Sequence, residues 1–419
     1  MQPSAAQLQA AIAAVELVLP LTHPADAMLR SFFGEQRQLG SHDRAYIAET
    51  VFAVLRHKRL LEHLVGQPTP RRLALAVLIK LQGFGIGQLG PLLRNDDRDW
   101  AVGLKSTDIE QLPAATRMSL PDWLYERLIA EYPESEVVSL ARAMLRPAPL
   151  DLRVNTLKMS RDDALRALQA DGLKGEATRY SPVGIRLEGK PAINRHPLFL
   201  AGSVEVQDEG SQLLGFLVAP RRREMVVDFC AGAGGKSLMM GALMQSQGRL
   251  YALDVSEKRL SNFKPRLQRS GLSNVHPQLI QSETDVKIRR LAGKIDRVLV
   301  DAPCSGLGTL RRNPDLKWRQ SPETVAELTV KQGAILNGAA TLVKPGGRLV
   351  YATCSLLADE NRRIVEAFLD KHPDFSILNS RDVLDEQRID LDCGEFLELR
   401  PDQHGTDAFF AAAMQRRQA

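Results

Sequence analysis

The sequence predicts an α/β protein with a Rossmann-like C-terminal domain, in which a doubly wound, largely parallel sheet is covered by helices. From about Val204 onward, apolar runs typical of buried strands alternate with glycine-rich turns and helical segments. Before residue 145 the apolar residues recur at helical spacing, and strand-like alternation is missing. We therefore expect an all-helical domain over 1–145, a small α/β linking module over 146–200 and the Rossmann-like domain over 201–419.

Composition sets limits on the class of protein. The 419 residues are 44% hydrophobic and 25% charged, which is typical of a globular chain of two or three domains. No apolar run approaches the roughly 20 residues of a membrane span, and the N-terminus lacks the basic segment of a signal peptide. We expect a monomeric cytoplasmic protein without membrane contact. The net charge of +5 permits an anionic partner such as nucleic acid.

The first elements follow from periodicity and capping. Helical spacing predicts helices over 46–65 and 72–81, and the prolines at 147 and 149 mark the end of this region. In the linking module we expect strands over 150–154 and 184–187. Between them, Ser160 is placed to cap a helix over 161–170.

Four strands are predicted in the C-terminal domain. They are Met225–Phe229, Arg249–Leu253, Arg297–Val300 and Arg348–Tyr351. In an open α/β sheet, ligands bind beyond the carboxyl ends of the strands, so the residues that follow these four runs are the candidates for a site.

A glycine-rich segment, here called the glycine loop, follows the first of these strands. It consists of Cys230, Ala231, Gly232, Ala233, Gly234, Gly235 and Lys236. Its small residues let backbone N–H groups approach a ligand at the start of the next helix. A phosphate-binding P-loop would need glycine at the position of Cys230, so the match of Gly235-Lys236-Ser237 to that motif fails at one defining residue.

The second strand is followed by Asp254, some 20 residues after the glycine loop. An acid at this distance is placed to accept hydrogen bonds from ribose hydroxyls, which favours a nucleoside ligand such as NAD or S-adenosylmethionine. The alternative is that Asp254 caps the helix expected over 256–268.

Four cysteines occur, at 230, 304, 354 and 393, and in a cytosolic chain they are expected to be reduced. None forms a C-x-x-C pair and the histidines show no ligand spacing, so we expect no metal site. Cys304 and Cys354 each follow a predicted strand. Two thiols at one sheet edge indicate covalent catalysis. Their positions in the chain do not show which of the two is the nucleophile.

One reaction that needs such a thiol is methylation of cytosine at carbon 5. Attack by a thiolate on carbon 6 moves electron density to carbon 5, which then takes a methyl group from a sulfonium. A base must afterwards remove the proton on carbon 5 so that the thiol can leave. The cytosine must also be unstacked, because the thiolate approaches the face of the ring.

Three segments resemble motifs of the RNA cytosine-5 methyltransferases, the bacterial Sun/Fmu and eukaryotic NOL1/NOP2 group. The segments are Asp301-Ala302-Pro303-Cys304-Ser305-Gly306 with Arg312-Asn313-Pro314-Asp315, Lys344-Pro345-Gly346-Gly347 leading to Ala352-Thr353-Cys354-Ser355 and Glu360-Asn361, and Val206-Gln207-Asp208-Glu209-Gly210-Ser211-Gln212. The resemblance covers roughly residues 146–415. It implies an S-adenosylmethionine-dependent methyltransferase domain of Rossmann-like fold.

The resemblance also implies roles for single residues. Cys354 is the nucleophile, Cys304 assists release of the methylated product, and Asp301 contacts the cofactor or substrate beside the reacting centre. The glycine loop wraps S-adenosylmethionine, and Asp254 binds its ribose. Either Glu283 or Asp285 holds the adenine amino group, and the spacing does not decide between them.

Outside the catalytic domain the resemblance is to a NusB-like RNA-binding domain, carried by Leu39-Gly40-Ser41-His42-Asp43-Arg44-Ala45. The alternative is that these helices only pack on the catalytic domain. A basic cluster after Cys304, formed by Arg311, Arg312, Lys317 and Arg319, is expected to contact phosphates. Trp318 beside it is expected either to stack on a base or to pack in a core.

The sequence thus indicates an S-adenosylmethionine-dependent RNA cytosine-5 methyltransferase, with small-subunit (16S) rRNA as the expected substrate. Three alternatives stay open. One is a tRNA substrate, the second is a non-catalytic RNA-binding or ribosome-assembly factor on the same fold, and the third is a nucleotide-hydrolysing enzyme that uses Gly235-Lys236-Ser237.

Overall fold

The regular elements before residue 145 are helices throughout the part of the chain that the computed structural model describes, residues 2–418. The α-helices are Ala5–Val18, Ala25–Glu35, Ser41–Arg56, Lys58–Val65, Pro70–Ala76, Ile86–Leu89, Arg98–Ser106, Ala114–Arg117, Asp122–Glu131 and Glu134–Met144. Short 3-10 turns cover Gly90–Leu92 and Asn95–Asp97. Their apolar faces share one core, which includes Leu55, Leu61, Leu73 and Leu75.

Two of these helical segments differ in detail from the predicted ones. The expected helix over 46–65 is divided at His57, whose backbone (φ −109°, ψ 21°) departs from helical values. The expected helix over 72–81 begins earlier, at Pro70, because Thr69 caps it by accepting a hydrogen bond from Arg72 N at 3.2 Å. Its last turn, Val77–Leu81, is π-helical.

The chain forms two compact units, and the first combines residues up to Pro147 with the segment Thr309–Pro322. This segment contains the short helix Leu316–Arg319, and its side chains bond to the end of the helix Ser41–Arg56. Trp318 Nε1 donates to Leu55 O at 2.7 Å, and Lys317 Nζ donates to Arg56 O at 2.8 Å. The indole N–H of Trp318 is therefore engaged in packing.

The burial of two members of the basic cluster corrects the expectation that Arg311 and Lys317 contact phosphates. Lys317 is 3% exposed and Arg311 is 7% exposed. Arg311 O accepts a hydrogen bond from Arg56 Nη2 at 3.1 Å, and Arg319 pairs with Asp315 at 3.4 Å. A side chain buried in this way cannot meet an RNA backbone, so Lys317 and Arg311 belong to the interior of the helical unit.

The second unit comprises Ala148–Gly308 and the residues from Glu323 onward, and it begins with a small antiparallel sheet. The strands are β1 Leu150–Val154, β2 Gly175–Ala177, β3 Gly184–Leu187 and β4 Val204–Val206, in the order β2-β3-β1-β4. The helix Arg161–Ala170 covers the sheet, and Ser160 caps it as predicted, accepting from Asp163 N at 3.1 Å. A 3-10 turn (Ile193–Arg195) and a short helix (Pro197–Leu200) precede β4.

An eight-stranded sheet forms the rest of this unit. Its strands are β5 Met225–Asp228, β6 Arg249–Asp254, β7 Val275–Leu279, β8 Ile295–Asp301, β9 Val343–Thr353, β10 Phe375–Leu378, β11 Leu397–Leu399 and β12 Phe409–Arg416. The α-helices are Glu209–Val218, Gly235–Leu243, Glu257–Ser270, Val286–Leu291, Pro322–Ala340, Arg362–Lys371, Ser380–Glu386 and Pro401–His404. 3-10 turns lie at Leu307–Thr309 and Ala358–Glu360.

The strand order β10-β12-β9-β8-β5-β6-β7 places the four predicted strands side by side. Pairing is parallel from β9 to β7 and antiparallel where β12 joins β9. The chain runs outward from β5 through β6 to β7 and then returns to β8, so the connections diverge between β5 and β8. Ligand sites in doubly wound sheets lie at such a switch point, beyond the carboxyl ends of the strands. Within residues 2–418, the helices are all too short or too polar to cross a membrane.

Candidate active site

A cavity of about 770 Å³ opens at the carboxyl edge of β5, β6, β8 and β9. Its lining includes the following residues that the sequence singled out: Cys230, Ala231, Gly232, Ala233, Gly235, Lys236, Asp254, Glu283, Asp301, Cys304 and Cys354. The fold therefore joins five separate segments of the sequence at one place. The volume lies within the range of pockets that hold a drug-sized or nucleoside-sized ligand.

The glycine loop turns sharply into the helix Gly235–Leu243, with Gly234 at its N-cap in a left-handed conformation (φ +81°). Gly234 is not among the lining residues. A Cβ atom there would lie 2.1 Å from the Phe263 ring, so glycine is needed for this close packing. Gly232 is also left-handed (φ +56°), but a Cβ atom there would meet nothing within 4 Å. The loop thus leaves open space beside Gly232.

Asp254 fixes the glycine loop to the second strand. Its Oδ2 accepts from Gly232 N at 2.7 Å, and its Oδ1 accepts from Ser256 N at 2.7 Å. The following helix begins at Glu257 and is capped by Ser256, whose hydroxyl accepts from Arg259 N at 3.3 Å. The capping role considered for Asp254 therefore belongs to Ser256, and the Asp254 carboxylate lines the cavity.

Lys236 and Asp301 form an ion pair across the cavity, with Nζ 2.7 Å from Oδ2. Burial alone would lower the pKa of Lys236, but the charge and hydrogen bond of Asp301, together with the charges of Asp228 and Cys354, raise it. Ser237 Oγ donates to Asp228 Oδ2 at 2.6 Å. The side chains of Lys236 and Ser237, the two polar residues of the P-loop-like match, thus both bond to carboxylates. This argues against phosphate binding by these side chains.

Asp228 is buried at the end of β5 and lines the same cavity. Its Oδ1 has no hydrogen-bond partner within the described part of the chain. Burial raises the pKa of this carboxyl from 3.8 to about 7, against the lowering effect of the Ser237 hydrogen bond. This buried oxygen leaves one hydrogen-bonding position of the Asp228 carboxyl unused.

The two candidate thiols lie with their Sγ atoms 3.4 Å apart. The strand register explains this short distance. Asp301 at the end of β8 pairs with Ala352 near the end of β9, so the loops that carry Cys304 and Cys354 leave the same edge of the sheet. The pKa of Cys304 is raised well above that of an ordinary thiol, first by its hydrogen bond with Cys354, then by burial and by the charges of Cys354 and Glu360. Cys304 therefore holds its proton more tightly than an ordinary thiol does.

The structure separates the two acids considered for adenine binding. Glu283 lines the cavity, whereas Asp285 lies outside this lining at the N-cap of the helix Val286–Leu291. The Asp285 carboxylate accepts from Gln281 N and Lys287 N, both at 2.8 Å, and these bonds lower its pKa. The carboxylate of Asp285 is thus engaged in local structure.

Several lining residues had no marker in the sequence, among them Arg259, Arg266, Lys331 and Ile335. Arg266 Nη1 donates to Ala233 O at 2.7 Å and its other nitrogens pair with Glu205, so it supports the glycine loop from the next helix. Only the tertiary structure brings these residues to the site. No group of three or more His, Cys, Asp and Glu residues suited to a metal ion occurs among residues 2–418.

Comparison with known proteins identifies two segments. Residues 215–415 match the family described as 16S rRNA methyltransferase RsmB/F, and residues 120–194 match the ferredoxin-like domain described as Methyltr_RsmF/B-like. The chain is similar over 417 residues to the probable ribosomal RNA small subunit methyltransferase B of Synechocystis sp., with 32% identity covering 91% of this chain and 93% of that protein.

Two further relatives agree with this assignment. The probable ribosomal RNA small subunit methyltransferase B of Bacillus subtilis is 33% identical, over 78% of this chain and 73% of that protein. The crystal structure of PH0851 superposes with a TM-score of 0.80 at 25% identity, covering 99% of this chain and 100% of that chain. The Rossmann-like methyltransferase fold and the family resemblance of the sequence motifs are thereby confirmed, and the chain belongs to the RsmB/F family of 16S rRNA methyltransferases, which are S-adenosylmethionine-dependent enzymes.

Proposed function

We propose that this protein transfers a methyl group from S-adenosylmethionine to carbon 5 of a cytosine in 16S rRNA, through a covalent bond between Cys354 and carbon 6. One observation carries the proposal: the two thiols, 3.4 Å apart, line the same cavity as the glycine loop and Asp254. A nucleophile and a proton carrier therefore stand beside a site built for a nucleoside.

The cavity residues fit S-adenosylmethionine. Asp254 offers a buried carboxylate to the ribose hydroxyls, and the partly exposed Glu283 offers its carboxylate to the adenine amino group. The open side of Gly232 and the unpartnered Oδ1 of Asp228 leave room and an acceptor for the polar end of the ligand. When bound there, the sulfonium supplies an electrophilic methyl group.

The two thiols have different chemical roles, attack by Cys354 and assistance of release by Cys304. The Cys354 sulfur forms a bond to carbon 6, and the ring electrons pass to carbon 5, which takes the methyl group. The carbon-5 proton then passes to a water molecule, which restores the ring double bond as the bond from carbon 6 to sulfur breaks and releases the Cys354 thiolate. Cys304 lies in reach of the Cys354 sulfur and carries a proton, so it assists this release. Asp301, held by Lys236, flanks the reacting groups.

Single cysteine variants test the division of roles. Cys354→Ala should abolish both methylation and the covalent complex with RNA, whereas Cys304→Ala should accumulate that complex on denaturing gels. Cys393 lies outside the cavity lining, so Cys393→Ala is the matched control and should methylate normally. An active Cys354→Ala enzyme would overturn the assignment of the nucleophile.

The substrate follows from the relatives named as ribosomal RNA small subunit methyltransferase B. Bisulfite sequencing of total RNA from cells with and without the gene should reveal one 16S rRNA cytosine that depends on this protein. Loss of a tRNA signal instead would replace rRNA by tRNA as the substrate. If every 5-methylcytosine signal is unchanged without the protein, a non-catalytic assembly factor is favoured.

The proposal also covers the oligomeric state of the protein, its location in the cell and the role of its helical domain. We propose a monomer, because the residues that line the cavity come from one unit of a single chain. We propose a cytoplasmic location because the relatives are named as ribosomal RNA methyltransferases. The NusB-like RNA-binding role of the helical domain rests on the segment 39–45. Light scattering coupled to size exclusion, and RNA binding by wild-type and Arg44→Ala proteins, test these two points.

A further inference from the structure

A buried carboxylate connects the two cysteine loops. Glu360 lies in the turn Ala358–Glu360 and is 0% exposed. Its Oε1 accepts from Ser305 N at 2.8 Å, and its Oε2 accepts from Ser305 Oγ at 2.5 Å and from Ser355 Oγ. Ser305 and Ser355 directly follow Cys304 and Cys354, so one side chain holds both thiols through their neighbours in sequence.

Gln332 completes this arrangement from the helix Pro322–Ala340. Its Nε2 donates to Glu360 Oε1 at 2.9 Å and to Pro303 O at 3.0 Å. Pro303 and Ser305 flank Cys304, so the loop is held on both sides of this cysteine. The described hydrogen-bond partners of the Glu360 carboxylate are thus backbone, hydroxyl and amide groups, none of which carries an opposite charge.

The charges around the two thiols are unequally distributed. Cys354 and, to a smaller extent, Glu360 raise the pKa of Cys304. The charge of Lys236 instead interacts with Cys354. Tyr351, also buried nearby, donates its hydroxyl to Glu360 O at 2.6 Å, and burial raises its pKa. The negative charge of Glu360 thus contributes to the raised pKa of the Cys304 thiol.

We propose that Glu360 is a positioning residue of the methyl transfer: it ties the loop after Cys304 to the loop after Cys354 and places a negative charge beside the Cys304 thiol. The proposal rests on the proposed function for its meaning in catalysis. The tie keeps the two sulfurs at contact distance. The charge disfavours the Cys304 thiolate, so that Cys354 is the sulfur that attacks and Cys304 is the one that holds a proton.

Two variants separate the tie from the charge. Glu360→Gln keeps the length of the side chain and removes the charge, whereas Glu360→Asp keeps the charge and shortens the reach. Glu366 is exposed on the following helix, so Glu366→Gln is the matched control for loss of a carboxylate. All measurements use the full chain without RNA or methyl donor, so their outcome does not depend on the proposed function.

The charge is tested by iodoacetamide alkylation at pH 8, followed for each cysteine by peptide mass spectrometry. Thiolate is the reactive form, and one unit of pKa changes its amount tenfold. Cys304 should therefore be alkylated more than twofold faster in Glu360→Gln, and within about twofold of wild type in Glu360→Asp and Glu366→Gln. Buried Cys393 reports on folding in the same samples.

The tie is tested by the rate at which diamide, which takes two hydrogens from a pair of thiols, joins Cys304 to Cys354. Glu360→Gln should crosslink at least as fast as wild type, and Glu360→Asp at least fivefold more slowly. Equal alkylation of Cys304 in wild type and Glu360→Gln would overturn the role of the charge. Wild-type crosslinking in Glu360→Asp would overturn the role of the tie.

Discussion

Gly234 packs against the ring of Phe263 so closely that a Cβ atom at residue 234 would lie 2.1 Å from Cε2 of the ring. Phe263 is fully buried, so its ring has no space to yield. Gly234→Ala should therefore lower the free energy of unfolding by more than about 2 kcal/mol, because it adds a clash to a strained left-handed backbone. Urea denaturation measures the effect.

Gly232→Ala is the matched comparison for that variant. Residue 232 shares the left-handed conformation, but its added Cβ atom meets nothing within 4 Å. We expect a loss of only about 1 kcal/mol, from backbone strain alone. Equal losses in the two variants would show that the contact with Phe263 does not matter.

Asp228 should give the protein a stability that falls as the pH rises towards neutrality. The folded carboxyl titrates at about pH 7 and the ordinary one at 3.8, so between these values the folded state holds a proton that the unfolded state has lost. The contribution is complete below pH 3.8 and is lost as the pH rises through 7. Its steepest slope is about 1.4 kcal/mol per pH unit.

Asp228→Asn should remove this slope, because an amide does not titrate and can still accept from the Ser237 hydroxyl. Urea denaturation of both proteins at a series of pH values from 5 to 8 provides the comparison. Parallel curves for wild type and variant would contradict the assignment of the slope to Asp228.

Lys236→Met should destabilise the protein in the absence of any ligand. The change leaves the Asp301 carboxylate without its 2.7 Å ion pair beside Asp228. Removing one partner of a buried pair costs 3–5 kcal/mol, and because Asp301 is partly exposed we expect about 1–3 kcal/mol. Thermal and urea unfolding measure this loss.

A double-mutant cycle supplies the control for Lys236→Met. The double variant Lys236→Met, Asp301→Asn should recover part of the lost free energy of unfolding, because no unpaired charge remains. Lys264 is exposed on another helix, so Lys264→Met should leave stability within about 0.5 kcal/mol of wild type. Additive effects at 236 and 301 would contradict the pairing.

Lys317→Met should leave the salt dependence of RNA binding unchanged. Lys317 is buried against Arg56 O, and burial together with the Arg56 charge lowers its pKa. A lysine that contacts phosphate would contribute about 0.7–0.9 to the slope of log affinity against log salt. The slope measured with single-stranded RNA should therefore equal that of wild type, and a reduction by this amount would return Lys317 to the RNA interface.

Much of the fold could be predicted because it follows from local patterns. A buried parallel strand needs an apolar run, and a helix needs apolar residues every three to four positions, so β5, β6, β8 and β9 were visible in the sequence. Their carboxyl ends meet at one edge of the sheet. The glycine loop, Asp254, Asp301, Cys304 and Cys354 were therefore predictable members of one site.

Other features depend on contacts between segments that are distant in the sequence. The sequence did not distinguish Glu283 from Asp285 as the acid that holds the adenine amino group. In the structure, Asp285 is the N-cap of the helix that begins at Val286. The basic segment after Cys304 suggested phosphate contacts by its charge, but burial against the helix Ser41–Arg56 decides where Lys317 lies. Charge is a local property of the sequence, whereas burial is not.

Local sequence patterns were sufficient to predict the parallel sheet, the glycine loop with its acid, and two thiols at the edge of the sheet. The distance of 3.4 Å between the two sulfurs, the raised pKa of Cys304 and the hydrogen bonds of Glu360 to both cysteine loops became visible with the fold. The physical reason is that strand register, burial and hydrogen bonding between loops arise when distant segments pack together. A protonation state depends on that packing, because desolvation and neighbouring charges set the pKa.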